Sequence, residues 1–278
     1  PLLEKVNFSK EDIMSYSLPK FSDLDYRLNY NYPDIINSVL NETHINVTST
    51  TLPERLYLYR GKQDYITDIV KNEYFYLSRA DKFEDPADCG IPEEMFNSFI
   101  KSKYEYIEHN IIKTKYKDFI NEVRTNSIVC SLTSSYENIA MWDKYADNKT
   151  GICIEYNIKE YFKNRKNSGL VLYPIIYTNE IYKILPLTVE NKRLMFTPGI
   201  INLLAICKTH PWSFEKEWRF FDRAKEEGRK ESCPISKIYL GPDFNINPKK
   251  DEILESVKRK NIKIVQTRLE NDQIIENE

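Results

Sequence analysis

The chain has 278 residues, 41% of them hydrophobic, which suffices for one large core or two small ones. Its 40 Lys and Arg nearly cancel its 42 Asp and Glu, leaving a net charge of -2, so no whole-chain field draws it to nucleic acid or an anionic membrane. Five scattered cysteines without a CxxC pair and three distant histidines (His44, His109 and His210) argue against a disulfide framework, a zinc site and imidazole-based metal chemistry.

That cysteine usage predicts a reducing cytoplasm. No apolar run approaches the roughly 20 residues of a spanning helix, and no charged-then-apolar leader opens the chain, so no membrane is expected. No G-x-G-x-x-G or G-x-x-x-x-G-K-[ST] stretch exists, so a bound dinucleotide is not held by a Rossmann or P-loop turn.

Residues 1–53 read as an N-terminal helical segment: Ser9 caps a first helix, and Pro33-Asp34 precede Ile35, Ile36, Val39 and Leu40 at helical spacing. Residues 54–278 read as one domain. Leu56 to Arg60 alternates as a strand and stops at Gly61; a helix from Gln63 to Asn72, a strand from Tyr74 to Leu77 and the irregular stretch from Asp81 to Gly90 follow. Glu93 to Arg124 suits two charged, tyrosine-rich helices forming an inserted layer at about 92–125. Ser127 to Leu132 is a buried strand with the hydroxyls of Thr133, Ser134 and Ser135 at its end, followed by a helix through Ala140 to Tyr145 and a strand from Gly151 to Tyr156. The remainder reads as a strand (Leu170 to Tyr177), a helix (Val189 to Cys207), strands from Glu215 to Phe221 and from Ile235 to Leu240, a helix (Lys249 to Lys260) and a last strand (Ile262 to Leu269). Isolated strands among unequal helices suggest an α+β fold in a single domain rather than a doubly wound sheet.

The chemistry concentrates between Ser213 and Phe221. Read as a strand of period two, one face carries Glu215, Glu217, Arg219 and Phe221. Two carboxylates two residues apart then sit roughly 7 Å from each other, a spacing at which one can hold a substrate while the other handles a proton. The alternative is an edge strand whose acids meet water and Arg219.

Arg60, then Ser131-Leu132-Thr133-Ser134-Ser135, then Glu215-Lys216-Glu217 stand in that order at strand ends. This order resembles the Arg-Ser-Glu class of ADP-ribosyltransferases, although Ser-Leu-Thr-Ser-Ser departs from a strict Ser-Thr-Ser. A second series covers more of the chain: Tyr59-Arg60, Phe83-Glu84-Asp85-Pro86-Ala87-Asp88-Cys89, Ser131-Leu132-Thr133, Met141-Trp142-Asp143-Lys144-Tyr145, Gly151 to Tyr156, Lys208 and Trp212 to Arg219. It resembles the bacterial DUF2971 family, whose function is unassigned.

The first resemblance implies an ADP-ribosyltransferase-like split β-sheet, NAD as the substrate cofactor, and transfer of ADP-ribose to a protein or nucleic-acid acceptor, or to water. Arg60, with its planar fork of donors, is the candidate for the pyrophosphate or a ribose hydroxyl, with Tyr59 beside it. By the resemblance Glu217 stabilises the cationic ribose and bonds its 2′-hydroxyl, and Glu215 orients or deprotonates the acceptor. Ser131, with Thr133 or Ser134, holds the ribose or positions Glu217. Such activity in bacteria belongs to toxins and phage defence, and an inhibitory partner protein is a further expectation.

Each residue has a plainer alternative. Arg60 can be a surface ion pair, and Ser131 to Ser135 can be turn and cap chemistry. Met141, Trp142 and Tyr145 fall at helical spacing and favour core packing over stacking on nicotinamide. Cys89 has no histidine at a suggestive spacing and is not read as a nucleophile. Lys208, His210 and Trp212 precede the key strand and are expected to border the cleft, with a structural or exposed position the plainer reading of His210. The rival functions are a non-enzymatic nucleotide, nucleic-acid or protein-binding module and a nuclease resting on Asp85, Asp88 and Glu215.

Overall fold

A computed structural model of the chain describes residues 52–277 apart from 62–64, 84, 86, 92, 95, 98–108, 165–169, 178–186, 191–192, 197–203, 224–225, 245–247 and 261. The helices expected within residues 1–51 lie outside the described residues.

Alternation of aromatic and aliphatic side chains makes β1 (Arg55–Arg60), whose Leu56 and Leu58 enter one core while Tyr59 enters another on the opposite face. Helix α1 (Ile66–Asn72) buries Ile66, Ile69 and Val70 and ends at Glu73, which turns left-handed with φ 48° before β2 (Tyr74–Arg79). Helix α2 (His109–Thr125) leads into β3 (Ser127–Thr133). Its Arg124 donates to the carbonyls of Ala80 and Phe83, which fastens the loop after β2 to the helix. Asn138 caps α3 (Ile139–Tyr145), and Asn157, last residue of β4 (Ile152–Asn157), caps α4 (Ile158–Asn164) by accepting from the Glu160 N–H at 2.9 Å.

The second half is richer in strands than the sequence suggests. It holds β5 (Val171–Pro174), β6 (Ile176–Tyr177), β7 (Leu187–Glu190), β8 (Arg193–Phe196), β9 (Cys207–Lys208), β10 (Glu217–Arg223), β11 (Gly228–Ser232) and β12 (Ile235–Leu240). Helix α5 (Pro248–Lys260), β13 (Lys263–Glu270) and β14 (Gln273–Glu276) complete it. The helix expected from Val189 to Cys207 is therefore corrected: β7 and β8 pair antiparallel as a hairpin. Thr188 and Val189 are β-branched, which favours a strand over a helix here.

The fold is mixed α/β around a large mixed sheet. Its strand order is β11-β2-β3-β1-β4-β12-β13-β14, with β10 on β3 and β5 on β10. Pairing is antiparallel except between β12 and β13, which α5 joins as a crossover, and between the short β6 and β9. Strand β3 runs beside β10 for its whole length, from Glu217 opposite Thr133 to Arg223 opposite Ser127. Its other edge is shared: Val129 and Ile128 pair with β2, and Thr133 alone pairs with Tyr57 of β1. Strands β1 and β3 thus diverge from a single point of contact.

One core fills the β1–β4–β12 face that carries Leu58, Ile154 and Ile238, together with Phe75, Trp218 and Phe220. On the opposite face α3 lays Met141 and Trp142 against Tyr59, Cys153 and Tyr239. No helix among the described residues is long and apolar enough to cross a membrane.

Candidate functional site

Where β1 and β3 diverge, a cavity of about 520 Å³ opens. Residues Tyr57 to Arg60 of β1 and Ser131 to Thr133 of β3 form one wall. Lys82, Phe83, Asp85 and Asp88 of the loop after β2 form another, and Lys144, Tyr145, Lys208, Trp212, Glu215 and Glu217 close the floor and far side.

The floor is a buried network of charges. Arg219 is fully buried; its guanidinium donates to Glu217 Oε1 at 2.8 Å through Nε, to Asp88 Oδ1 at 2.9 Å and to the Ala205 carbonyl at 2.6 Å. Lys208 Nζ stands 2.6 Å from Glu215 Oε2, 3.3 Å from Glu217 Oε2 and 3.5 Å from Asp88 Oδ2. Tyr145 donates its hydroxyl to the other oxygen of Glu215. Isolated charges would not be tolerated at this depth, and fixed partners with good geometry are what make them admissible.

The two glutamates lie in different environments. Burial pushes the Glu217 carboxyl up, but Arg219 and Lys208 outweigh it, and the Ser131 hydroxyl bonds the charged form; the group is held below its ordinary range. Asp88 is likewise held low, because Arg219 and Lys208 overcome its burial. Glu215 goes the other way: burial raises it in spite of Lys208, and the neighbouring Glu217 charge adds to the rise. Burial opposes the Lys208 ammonium, yet Glu217 and Asp88 keep it protonated to higher pH than usual.

The cavity lining carries cations beside its acids, Arg60, Lys82 and Lys144 among them. Arg60 makes no ion pair among the described residues; its Nη1 donates to the Tyr59 carbonyl at 3.0 Å, and its buried Nε has no hydrogen-bond partner. The Lys144 ammonium stands 3.5 Å from the centre of the Trp212 ring, which Lys208 also approaches at 5.1 Å.

Sequence reasoning brought Arg60, Ser131, Thr133, Glu215 and Glu217 to one site, and all five line the cavity. Thr133 is buried and donates its hydroxyl to the Glu215 carbonyl at 2.7 Å, which makes it a brace for the floor. Tyr59 adds to the wall while its ring packs edge-on against Trp142, at 5.1 Å and 89°. Trp142 is fully buried in the second core, with its indole N–H on the Tyr136 carbonyl, and Ser134 bonds Lys216 through its backbone; neither lines the cavity. Cys89 is buried against Arg219, its thiol pushed up to about 12 by burial.

The shared strand face drawn through Glu215 and Glu217 requires correction. Glu215 ends a 3-10 helix, His210–Glu215, with Pro211 in its first turn, and Lys216 follows in the left-handed region at φ 45°. Strand β10 begins only at Glu217, so the two carboxylates converge across a turn. From Glu217 onward the period of two holds and accounts for the Glu217–Arg219 contact. Asn138 helps to fix the turn, its side-chain amide donating to the Phe214 carbonyl at 2.6 Å. Lys208, Asp88 and Tyr145 stood in the series that resembles DUF2971 but were given no part in the chemistry of the two glutamates, and the structure places all three against them or their partners.

A family model described as "Protein of unknown function (DUF2971)" matches residues 141–220. That span holds Tyr145, Lys208, Glu215, Glu217 and Arg219 and leaves Arg60, Asp88 and Ser131 outside it. No curated protein and no solved structure matches the chain.

Proposed function

We propose that this chain, a DUF2971 protein over residues 141–220, binds NAD in the cavity between β1 and β3 and cleaves its nicotinamide bond, in the manner of an ADP-ribosyltransferase. The observation that carries the reading is the divergence of two neighbouring acids: Glu217 is held ionised and Glu215 is raised, while Arg60, with no ion pair among the described residues, lines the same cavity. Environments that push two carboxyls apart divide the work of charge stabilisation and proton transfer between them.

In this reading Arg60 takes a phosphate oxygen, for which the planar fork of its guanidinium is suited. The bond between the ribose anomeric carbon and the pyridinium nitrogen breaks, and its electron pair returns to the ring, which leaves as neutral nicotinamide. The fixed charge of Glu217 favours the cationic sugar over the ground state. The acceptor oxygen or nitrogen closes on the anomeric carbon, and its proton passes to the ionised form of Glu215. The acceptor is a macromolecule or water.

Nicotinamide release from NAD, abolished in a Glu217→Gln protein that retains its fold, is the test. A second reading is favoured by one observation, that both oxygens of Glu217 already face cations. In that case the cavity binds a nucleotide without turning it over. NAD that raises the melting temperature with no nicotinamide released would decide for that binding module.

A further inference from the structure

The network on the cavity floor hinges on a residue that the Glu-Lys-Glu segment does not contain. Lys208 belongs to the two-residue strand β9, which pairs in parallel with β6, Tyr177 lying opposite Lys208. The Tyr177 hydroxyl accepts from the Glu217 N–H at 3.0 Å, so one small ladder positions both the ammonium and the start of β10. The Lys208 side chain is 9% exposed, and a single Nζ is within 3.5 Å of Asp88, Glu215 and Glu217.

We infer that Lys208 is the positioning residue that keeps Glu215 available as a proton acceptor beside Glu217, by supplying the one cation among the described residues that both share. Arg219 reaches Glu217 and Asp88, with no contact to Glu215. The groups facing Glu215 are Lys208 of β9, Tyr145 of α3 and Glu217 of β10; those facing Lys208 add Asp88 of the loop after β2, Arg219 of β10 and the Trp212 ring. Three acids therefore meet two cations, and Lys208 is the only cation in contact with Glu215 among the described residues. Without it Glu215 has a phenol and a neighbouring negative charge, and takes up a proton more readily; Glu217 keeps Arg219 and changes less. As a partner that touches the acids and not the reacting atoms, Lys208 acts through them.

This rests on the proposed NAD reading for its kinetic consequence, though its electrostatic core does not. Lys208→Met and Lys208→Arg proteins are to be compared with wild type for the pH profile of nicotinamide release and, without NAD, by carbon NMR titration of the glutamate carboxyls. In Lys208→Met the acid limb of the profile and the Glu215 titration both move to higher pH by ~1–3 units, as expected when an opposite charge within hydrogen-bonding reach is lost; Lys208→Arg restores most of the limb. A loss of rate equal at every pH, with the limb unmoved, overturns the inference. Should wild type release no nicotinamide, the NAD reading fails and the NMR titration still judges Lys208. If Lys208→Met does not fold, the wild-type titration decides: a Glu215 that stays protonated through neutral pH in spite of Lys208 overturns it.

Discussion

Arg219 and Asp88 lie 131 residues apart in sequence and meet at 2.9 Å in the interior, the guanidinium of one with no exposure to solvent. This contact fastens the loop after β2 to the strand that carries Glu217. Replacing Arg219 with Leu leaves two buried carboxylates short of a partner and is expected to cost ~3–5 kcal/mol, read from urea unfolding. Arg219→Lys recovers only part of this, because one ammonium cannot fork between Glu217, Asp88 and the Ala205 carbonyl.

Arg60 should behave in the opposite way. It spends no ion pair on the fold among the described residues, so Arg60→Gln is expected to change unfolding free energy by no more than ~0.5 kcal/mol. Its affinity for NAD or ADP-ribose, followed by calorimetry, falls ~10-fold or more, since hydrogen bonds to charged groups are worth ~1.5–3 kcal/mol. Unchanged affinity would remove Arg60 from the site.

Stability should fall in acid for a nameable reason. Asp88 and Glu217 are held below their ordinary values of 3.8 and 4.5, so the unfolded chain binds protons there before the folded one does. Their contribution is complete above those values and is lost as pH falls through and below them. Glu215, raised in the folded state, has the opposite sign: its contribution is largest at low pH and fades as pH rises through its folded value. The urea midpoint followed through the acid range should therefore drop below about pH 4.5. Asp88→Asn should lower the midpoint at neutral pH and flatten that acid limb.

Gly151 is a position beside the cavity where a methyl group does harm. A β-carbon there would stand 2.2 Å from the Arg60 carbonyl oxygen and 2.9 Å from that of Ala146, both backbone atoms. Gly151→Ala is expected to cost ~1–3 kcal/mol as an overpacked site and to weaken ligand binding by displacing Arg60. Thermal melting with and without NAD separates the two effects.

Most of the sheet was legible because its strands are apolar. β1, β3, β4 and β12 each present a short run of β-branched, aromatic or aliphatic residues that a strand alone accommodates. The edge strands β11 and β14 were not. β11 reads Gly-Arg-Lys-Glu-Ser, a solvated edge with no apolar signal, and β14 follows Asn271-Asp272, both at positive φ, a hairpin turn visible only as an Asn-Asp pair. The Arg60, Ser131 and Glu217 grouping came through because all three sit at the ends of legible strands. Glu215 was misplaced for the converse reason: the left-handed Lys216 that separates it from β10 is imposed by tertiary contacts such as Thr133 to the Glu215 carbonyl. Long-range partners of a buried charge, Asp88 and Lys208 here, carry no local pattern at all.

The solitary Tyr57–Thr133 register between β1 and β3 gives the pocket two unequal boundaries. Between β1 and β3 one register pair closes the seam, while β4 holds β1 along all six of its residues and the ionic bed beneath is clamped from four directions. In the proposed reading, variation at Tyr57 should alter how large a molecule is admitted, whereas variation at Arg60 should alter which charge it must bear.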